Sequence, residues 1–303
     1  MARLSAMLVT ALLLPFAATA QQRADAAYTP RIEHPAYAAG AGPVVTIDEA
    51  HDNFHTLAGK YAPFGALLTA DGYRVRASTA PFSAEALSEV GVLVIANARS
   101  PTAGASAFSA AEIAALRDWV SAGGSLLLIS DHAPFGTAAS RLGEAFGVNM
   151  GLGYVAARGG GGVTSQILFR GRQLGEHPIL AGRDPAERVR SVRSFTGQSL
   201  SVPPGATALL SLPPDALEVA SSADIRALAQ GGSVPARSAA GRAQAIALPF
   251  GKGRVVVSGE AAMFTEQIVP GIGRVGLLSE DDQQFALNVL HWLSRITRAG
   301  GGQ

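Results

Sequence analysis

Trp119-Val120-Ser121-Ala122-Gly123-Gly124-Ser125-Leu126-Leu127-Leu128-Ile129 is the stretch from which the fold can be read. Its first part closes a helix. Ser109 stands as the N-cap of that helix and Glu112 completes a capping box, in which side chains satisfy two orphan backbone N–H groups of the first turn. Phe108 is placed to staple onto Ile113, and Ile113, Leu116 and Val120 fall on one apolar stripe. Gly123-Gly124 then supplies the left-handed residue that ends a helix without a Cβ clash. The apolar run after Ser125 does not alternate, which suits a strand covered on both faces by helices.

The same alternation continues outward in both directions. Val44-Val45-Thr46-Ile47 is a short β-branched strand. Residues 57–70 form a helical pattern with Leu57, Tyr61, Phe64 and Leu68 on one face, ended by Asp71-Gly72. Tyr73-Arg74-Val75-Arg76 and residues 90–96 give two more strands. A helix is expected over 138–146. The pattern loosens over about 147–241, with Gly159 to Gly162, several prolines, and strand-like runs at 189–195 and 208–212. This segment reads as a β-rich insertion or sheet extension. Ile246-Ala247-Leu248 and Val255-Val256-Val257 flank Gly251-Lys252-Gly253 as a hairpin, and a last helix over 281–296 carries Phe285, Val289, Trp292 and Ile296 on one stripe. The expectation is an α/β fold: one doubly wound, mainly parallel sheet over residues 43–298.

The ends read differently. Arg3, an apolar run over 7–18 broken by Pro15, and Ala18-Thr19-Ala20 make a signal peptide over 1–20, with the mature chain starting at Gln21. The run is about 12 residues, short of the about 20 that span a bilayer, and no later segment is long and apolar enough to span. A periplasmic or secreted protein is expected. Residues 21–42 read as a leader draped on the surface or disordered, and 299–303 as a disordered tail. The 303 residues include no Cys, which removes disulfides, thiolate metal sites and a Cys nucleophile. A formal net charge of +1 leaves no electrostatic footprint for nucleic acid.

In open α/β sheets, ligands bind beyond the carboxyl ends of the strands. There this chain places Asp48-Glu49-Ala50-His51-Asp52-Asn53 with His55, then Asn97, then Asp131-His132, then Gly259-Glu260. Helix capping explains an Asp after a strand but not the paired His. Asp, Glu and His together can ligate Zn²⁺ or Mn²⁺, or act as acid and base with a carboxylate orienting an imidazole. His51 and His55 share a face if their turn is helical, though Asp52 stands where a zincin has Glu. Other patterns fail on context. Asp48-Glu49-Ala50-His51 has no phosphate-binding G-x-x-x-x-G-K-[ST] partner. Gly251-Lys252-Gly253-Arg254 lies between two strands, where a hairpin turn fits better than a phosphate loop. His34, His177 and His291 read as structural.

The helix-turn-strand around Gly123-Gly124 resembles that of the class I glutamine amidotransferase-like superfamily. His177-Pro178-Ile179 and Gly251-Lys252-Gly253-Arg254-Val255-Val256-Val257 before a Gly-acid pair strengthen the likeness. They are similar to its exported, non-amidotransferase branch, near the DUF4350 and ThuA-like groups. The resemblance implies a flavodoxin-like, doubly wound sheet over most of 43–298. It does not carry over the glutaminase chemistry. The Cys is absent, and Ser130-Asp131-His132-Ala133-Pro134 forms no strand-to-helix nucleophile elbow.

The leading expectation is an exported, metal-dependent hydrolase-like enzyme. His51, His132 and Asp131 would be the catalytic groups. Asp48, Glu49 and Glu260 would hold a Zn²⁺ or Mn²⁺, and Asn53, His55 and Asn97 would contact ligand. The alternative is a non-catalytic domain that binds a saccharide or a cell-envelope component, using the same residues for hydrogen bonds.

Overall fold

The computed structural model describes residues 22–159 and 162–297. The expected signal peptide and 299–303 tail lie outside the described residues, as do Gly160 and Gly161 of the expected glycine loop.

The central sheet has seven strands: β1 (Val44–Asp48), β2 (Arg74–Ser78), β3 (Val92–Ala96), β4 (Ser125–Ile129), β5 (Thr207–Ser211), β6 (Ala243–Phe250) and β7 (Gly253–Ser258). Their spatial order is β5-β6-β7-β4-β3-β1-β2. Strands β2, β1, β3, β4 and β7 run parallel, and the β6–β7 hairpin then adds β6 and β5 in antiparallel fashion. Helices α1 (Ala62–Ala70) and α4 (Asp282–Leu293) cover one face, and α2 (Ala110–Ala122) and α3 (Phe135–Ala145) the other. Period-two alternation feeds both cores. Val92, Val94, Leu127, Ile129 and Val256 meet Phe64, Leu68, Phe285 and Val289. Leu93, Ile95, Leu126, Leu128, Val255 and Val257 meet Leu116, Val120 and Leu142. Each such buried side chain contributes about 1.5–3 kcal/mol. The architecture is the expected doubly wound α/β sheet with a β-rich insertion.

The glycines that carried the resemblance meet at one contact, on the amino edge of the sheet. Gly123 caps α2 at φ +130°, while the capping box of Ser109 and Glu112 opens it. A Cβ on Gly253 would stand 2.0 Å from the Val120 carbonyl and 2.4 Å from that of Gly124. The backbone of Lys252 and Arg254 donates to Ser121 and Gly124 at this crossing. Thus the start of β7 and the end of α2 approach as closely as two backbones can.

Three boundaries differ from expectation. Residues 57–61 form turns ahead of α1, because Pro63 sits at its first turn and the Glu49 carboxylate accepts from the Leu57 N–H at 2.7 Å. Helix α3 starts at Phe135, earlier than the apolar pattern shows. Helix α4 ends at Leu293, where the Ser294 hydroxyl takes the Leu290 carbonyl. The leader contributes structure too. Arg23–Ala24 pairs with Glu266–Val269, and Tyr37 packs edge-on against Tyr73. The segment between α3 and β6 holds a four-stranded antiparallel sheet, which includes Tyr154–Gly159 and Leu217–Val219, and the pair Ile167–Arg170 with Ser191–Ser194. Among the described residues no helix is long and apolar enough to cross a membrane.

Candidate functional site

Because β1, β3, β4 and β7 are parallel, their carboxyl ends share one edge. The backbone there steps across the sheet: Asn97 N–H donates to Ile129, and Ser130 N–H to Ser258. Side chains beyond these ends form two buried groups and an outer rim.

The first group lies behind β1. The Asp48 carboxylate faces His51 Nδ1 at 2.9 Å and accepts from Asn53 Nδ2 at 3.0 Å and from the Ala50 N–H at 3.1 Å. The other ring nitrogen of His51 faces Glu112 at 2.9 Å. Phe82 and Phe108 pack against the ring, each 4.7 Å away between centroids. Burial works to lower the His51 pKa, but the hydrogen bonds and charges of Asp48 and Glu112 outweigh it and the net shift is upward. Burial likewise opposes ionisation of Glu112. The Ser109 backbone, His51 and the Ser109 hydroxyl overcome it and pull Glu112 down to about 2. His51 is thus held between two carboxylates that favour its charged form. The loop that carries it is not helical, so His51 and His55 do not share a helical face, contrary to the spacing argument.

The second group joins β4 and β7. Asp131 and Glu260 are both buried, and the charge of Asp131 adds to the cost of ionising Glu260. Glu260 accepts from the N–H groups of Ala262 and Met263, at 3.0 and 2.8 Å, and so caps the turn after β7. Burial first, and then the charge of Asp131, pushes the Glu260 pKa well above the usual carboxylate range. Burial also raises Asp131, against the pull of His132. The Tyr61 hydroxyl donates to the Ala261 carbonyl beside them.

Asn97 ties the two groups together. It is fully buried at φ +49°, a strained conformation for a side chain with a Cβ. Its Oδ1 accepts from the Asp131 N–H at 2.8 Å, and its Nδ2 donates to His55 Nδ1 at 3.2 Å. That bond places the His55 proton on Nε2, which is buried with no partner. Burial, and then Lys60, lowers the His55 pKa to about 3. Glu49 is turned aside to the Leu57 N–H.

The rim is aromatic and cationic. Tyr154 stacks on His132, with centroids 4.1 Å apart and planes at 15°. His132 Nδ1 donates to the Ala133 carbonyl at 2.8 Å, and its Nε2 stands 3.9 Å from Asp131. Phe135 lies 6.2 Å from His132 and 5.5 Å from Phe54. The Lys60 ammonium sits 3.8 Å over the Phe54 ring, with the Arg99 guanidinium 5.9 Å from the same ring.

Two expectations are corrected here. Among the described residues no group of three His, Asp or Glu side chains is placed to hold a metal ion. The physical reason is that the donors are occupied: Asp48 by His51 and Asn53, Glu49 by Leu57, and Glu260 by two backbone N–H groups. The Zn²⁺ or Mn²⁺ cofactor and the metal-dependent hydrolase reading both fall with this finding. Sequence reading also missed participants. Glu112 is visible only as a cap. Gln198, whose amide donates to the Ser130 carbonyl at 2.8 Å and accepts from the Leu152 N–H, comes from the insertion and carries no motif. A cleft of about 850 Å³ lined by Leu174, His177, Pro178 and Arg190 contains none of the expected site residues. The carboxyl edge is favoured over it because perturbed ionisable groups from separate strands converge there.

No protein-family model matches the chain, and no curated protein does. Solved structures do. The mmIFT52 N-terminal domain superposes with a TM-score of 0.59 at 16% identity, over 86% of this chain and all of that domain. This likeness establishes the fold. Two structures described as putative ThuA-like proteins also align. One, from Bacteroides uniformis ATCC 8492, has a TM-score of 0.48 at 14% identity, over 88% of this chain and 94% of that one. The other, from Parabacteroides merdae ATCC 43184, has 0.45 at 12%, over 86% and 92%. With no Cys in the chain, it is not a glutamine amidotransferase.

Proposed function

We propose that this chain is an exported ligand-binding domain whose carboxyl edge holds a saccharide or a saccharide-bearing cell-envelope component, without catalysing its turnover. One observation carries the reading: the buried ionisable groups serve as internal hydrogen-bond partners, while the half-exposed rim presents aromatic faces. His51 has both ring nitrogens engaged by Asp48 and Glu112, so neither is free to face a substrate. Sugar rings have apolar C–H faces and polar edges. The His132–Tyr154 stack offers a flat surface to the former, and free polar atoms such as His132 Nε2 can meet the latter. Export is part of the same reading and rests on the Arg3, apolar-run and Ala18-Thr19-Ala20 pattern.

The test is retention of the purified chain on immobilised polysaccharides and peptidoglycan, followed by calorimetry. Binding that disappears in Tyr154→Ala supports the reading. Failure of every carbohydrate and envelope fraction to bind, or release of cleaved product, overturns it. N-terminal sequencing of protein from its host should begin at or near Gln21, and an intact Met1 removes the export claim.

A further inference from the structure

The cation at the rim lacks a counterion. Lys60 is half-buried, yet its ammonium makes no hydrogen bond or ion pair with any described residue; it lies on the Phe54 ring with Arg99 nearby. Arg99 is satisfied, because it holds Asp52 through both its side-chain carboxylate and its backbone carbonyl at 2.8 Å. Lys60 is not. Partial burial, and then Arg99, works against its charge. A cation over an aromatic face gains only about 0.5–1 kcal/mol at a partly exposed position, and a second cation beside it opposes that gain.

A second donor on the same side also lacks an acceptor. His55 packs edge-on against Phe54 at 5.3 Å, and its Nε2–H is the buried atom without a partner. Buried donors without an acceptor are uncommon in native structures. The carboxylates that could have served are committed elsewhere: Glu49 to Leu57, Asp52 to Arg99, and Glu260 to its turn.

We infer that the ligand of this edge is an acidic saccharide, whose carboxylate is held at Lys60 and whose ring lies on the His132–Tyr154 stack. This deepens the saccharide reading above and rests on it. The accessible rings are Phe54 and the His132–Tyr154 stack, and the buried Phe135 links them, 5.5 Å from Phe54 and 6.2 Å from His132. A lysine is suited to the task, since its compact ammonium meets a single carboxylate without demanding a fixed plane.

Calorimetry on the full chain uses three probes: trigalacturonic acid, its fully methyl-esterified form, and tricarballylate as a carboxylate without a sugar ring. The expected result is that the acid binds at least tenfold tighter than the ester. Lys60→Met should erase that preference and Lys60→Arg should restore most of it, with unchanged melting temperatures showing that both variants fold. Equal binding of acid and ester overturns the acidic-ligand inference and leaves the saccharide reading in place. Tricarballylate binding as tightly as the trisaccharide keeps the anion role of Lys60 and overturns the saccharide reading. No binding of any probe at millimolar concentration overturns the inference for this ligand class.

Discussion

Glu112 Oε1 lies 2.9 Å from His51 Nε2, across 61 residues of sequence, while Glu112 Oε2 accepts from the Ser109 N–H of the capping box. One carboxylate thus caps α2 and clamps the His51 ring behind β1. Replacing Glu112 by Gln should cost about 2 kcal/mol, the sum of a weakened cap and a lost charge-assisted hydrogen bond. Urea unfolding at pH 6 measures it. A loss within error of zero would mean that the pair adds nothing to stability.

The same pair sets a pH window. The His51 pKa is raised by folding, so its contribution is full below the unfolded value of about 6.5 and is lost as pH rises through the higher folded value. Glu112 is depressed to about 2, so its contribution is full above the unfolded value of about 4.3 and is lost as pH falls through the folded one. This element therefore stabilises most between about pH 4.5 and 6.5. Histidine NMR should report a His51 pKa above that of a free imidazole, and Glu112→Gln should lower it. A titration at or below the free value contradicts the clamp.

Glu260 works in the opposite sense. Its folded pKa is raised, so the folded state holds a proton that the unfolded state releases. Stability should fall as pH rises above about 4.5 toward the folded pKa. In Glu260→Gln the slope of melting temperature against pH over this range should flatten. The variant also loses an acceptor for the Ala262 or Met263 N–H, so the slope is the readout rather than absolute stability. An unchanged slope shows that Glu260 is ionised in the native protein.

His132→Ala separates site from scaffold. The imidazole is half-exposed and its main contact is the Tyr154 ring. Its removal should cost about 1 kcal/mol, the size of an aromatic pair, and should abolish saccharide binding. A chain that no longer folds would assign His132 to the core.

Two glycines at the α2–β7 crossing should respond very differently to Ala. A Cβ at Gly123 meets nothing within 4 Å, so its cost is that of φ +130° alone, about 1–2 kcal/mol. A Cβ at Gly253 meets the Val120 carbonyl at 2.0 Å, and the backbones must separate at about 3 kcal/mol or more. Thermal melts of the two variants rank them, and equal costs would refute the distinction between conformational and steric glycine.

The inner parallel strands were legible because they are rich in apolar and β-branched residues between turn signals, and the capping box of α2 was visible in Ser109 and Glu112 alone. The start of α1 was not. Leu57 and Tyr61 have helical spacing, but Pro63 and the Glu49–Leu57 bond shift the boundary to Ala62. At the site, strand ends identified Asp48, Asn97, Asp131 and Glu260 as neighbours on one edge. They could not show which donors were already occupied. Spacing reports where a backbone places a residue, whereas ligation depends on free lone pairs, and those depend on contacts such as Glu112 with His51 that only the crossover geometry creates. Phe54, Lys60 and Tyr154 were invisible for a related reason, since no motif marks an aromatic rim assembled from a loop and an insertion.

Strand β2 has one partner, β1, and stands at the border of the sheet with Arg74 and Arg76 exposed. Its outward backbone offers unpaired groups to any passing strand. A second copy that extended the sheet there would set its own guanidinium groups against these two, like charge facing like charge across the new ladder. The two arginines thus disfavour edge-to-edge pairing of two copies at this border. That protection is ionic, so concentrated salt weakens it while leaving the apolar layers intact.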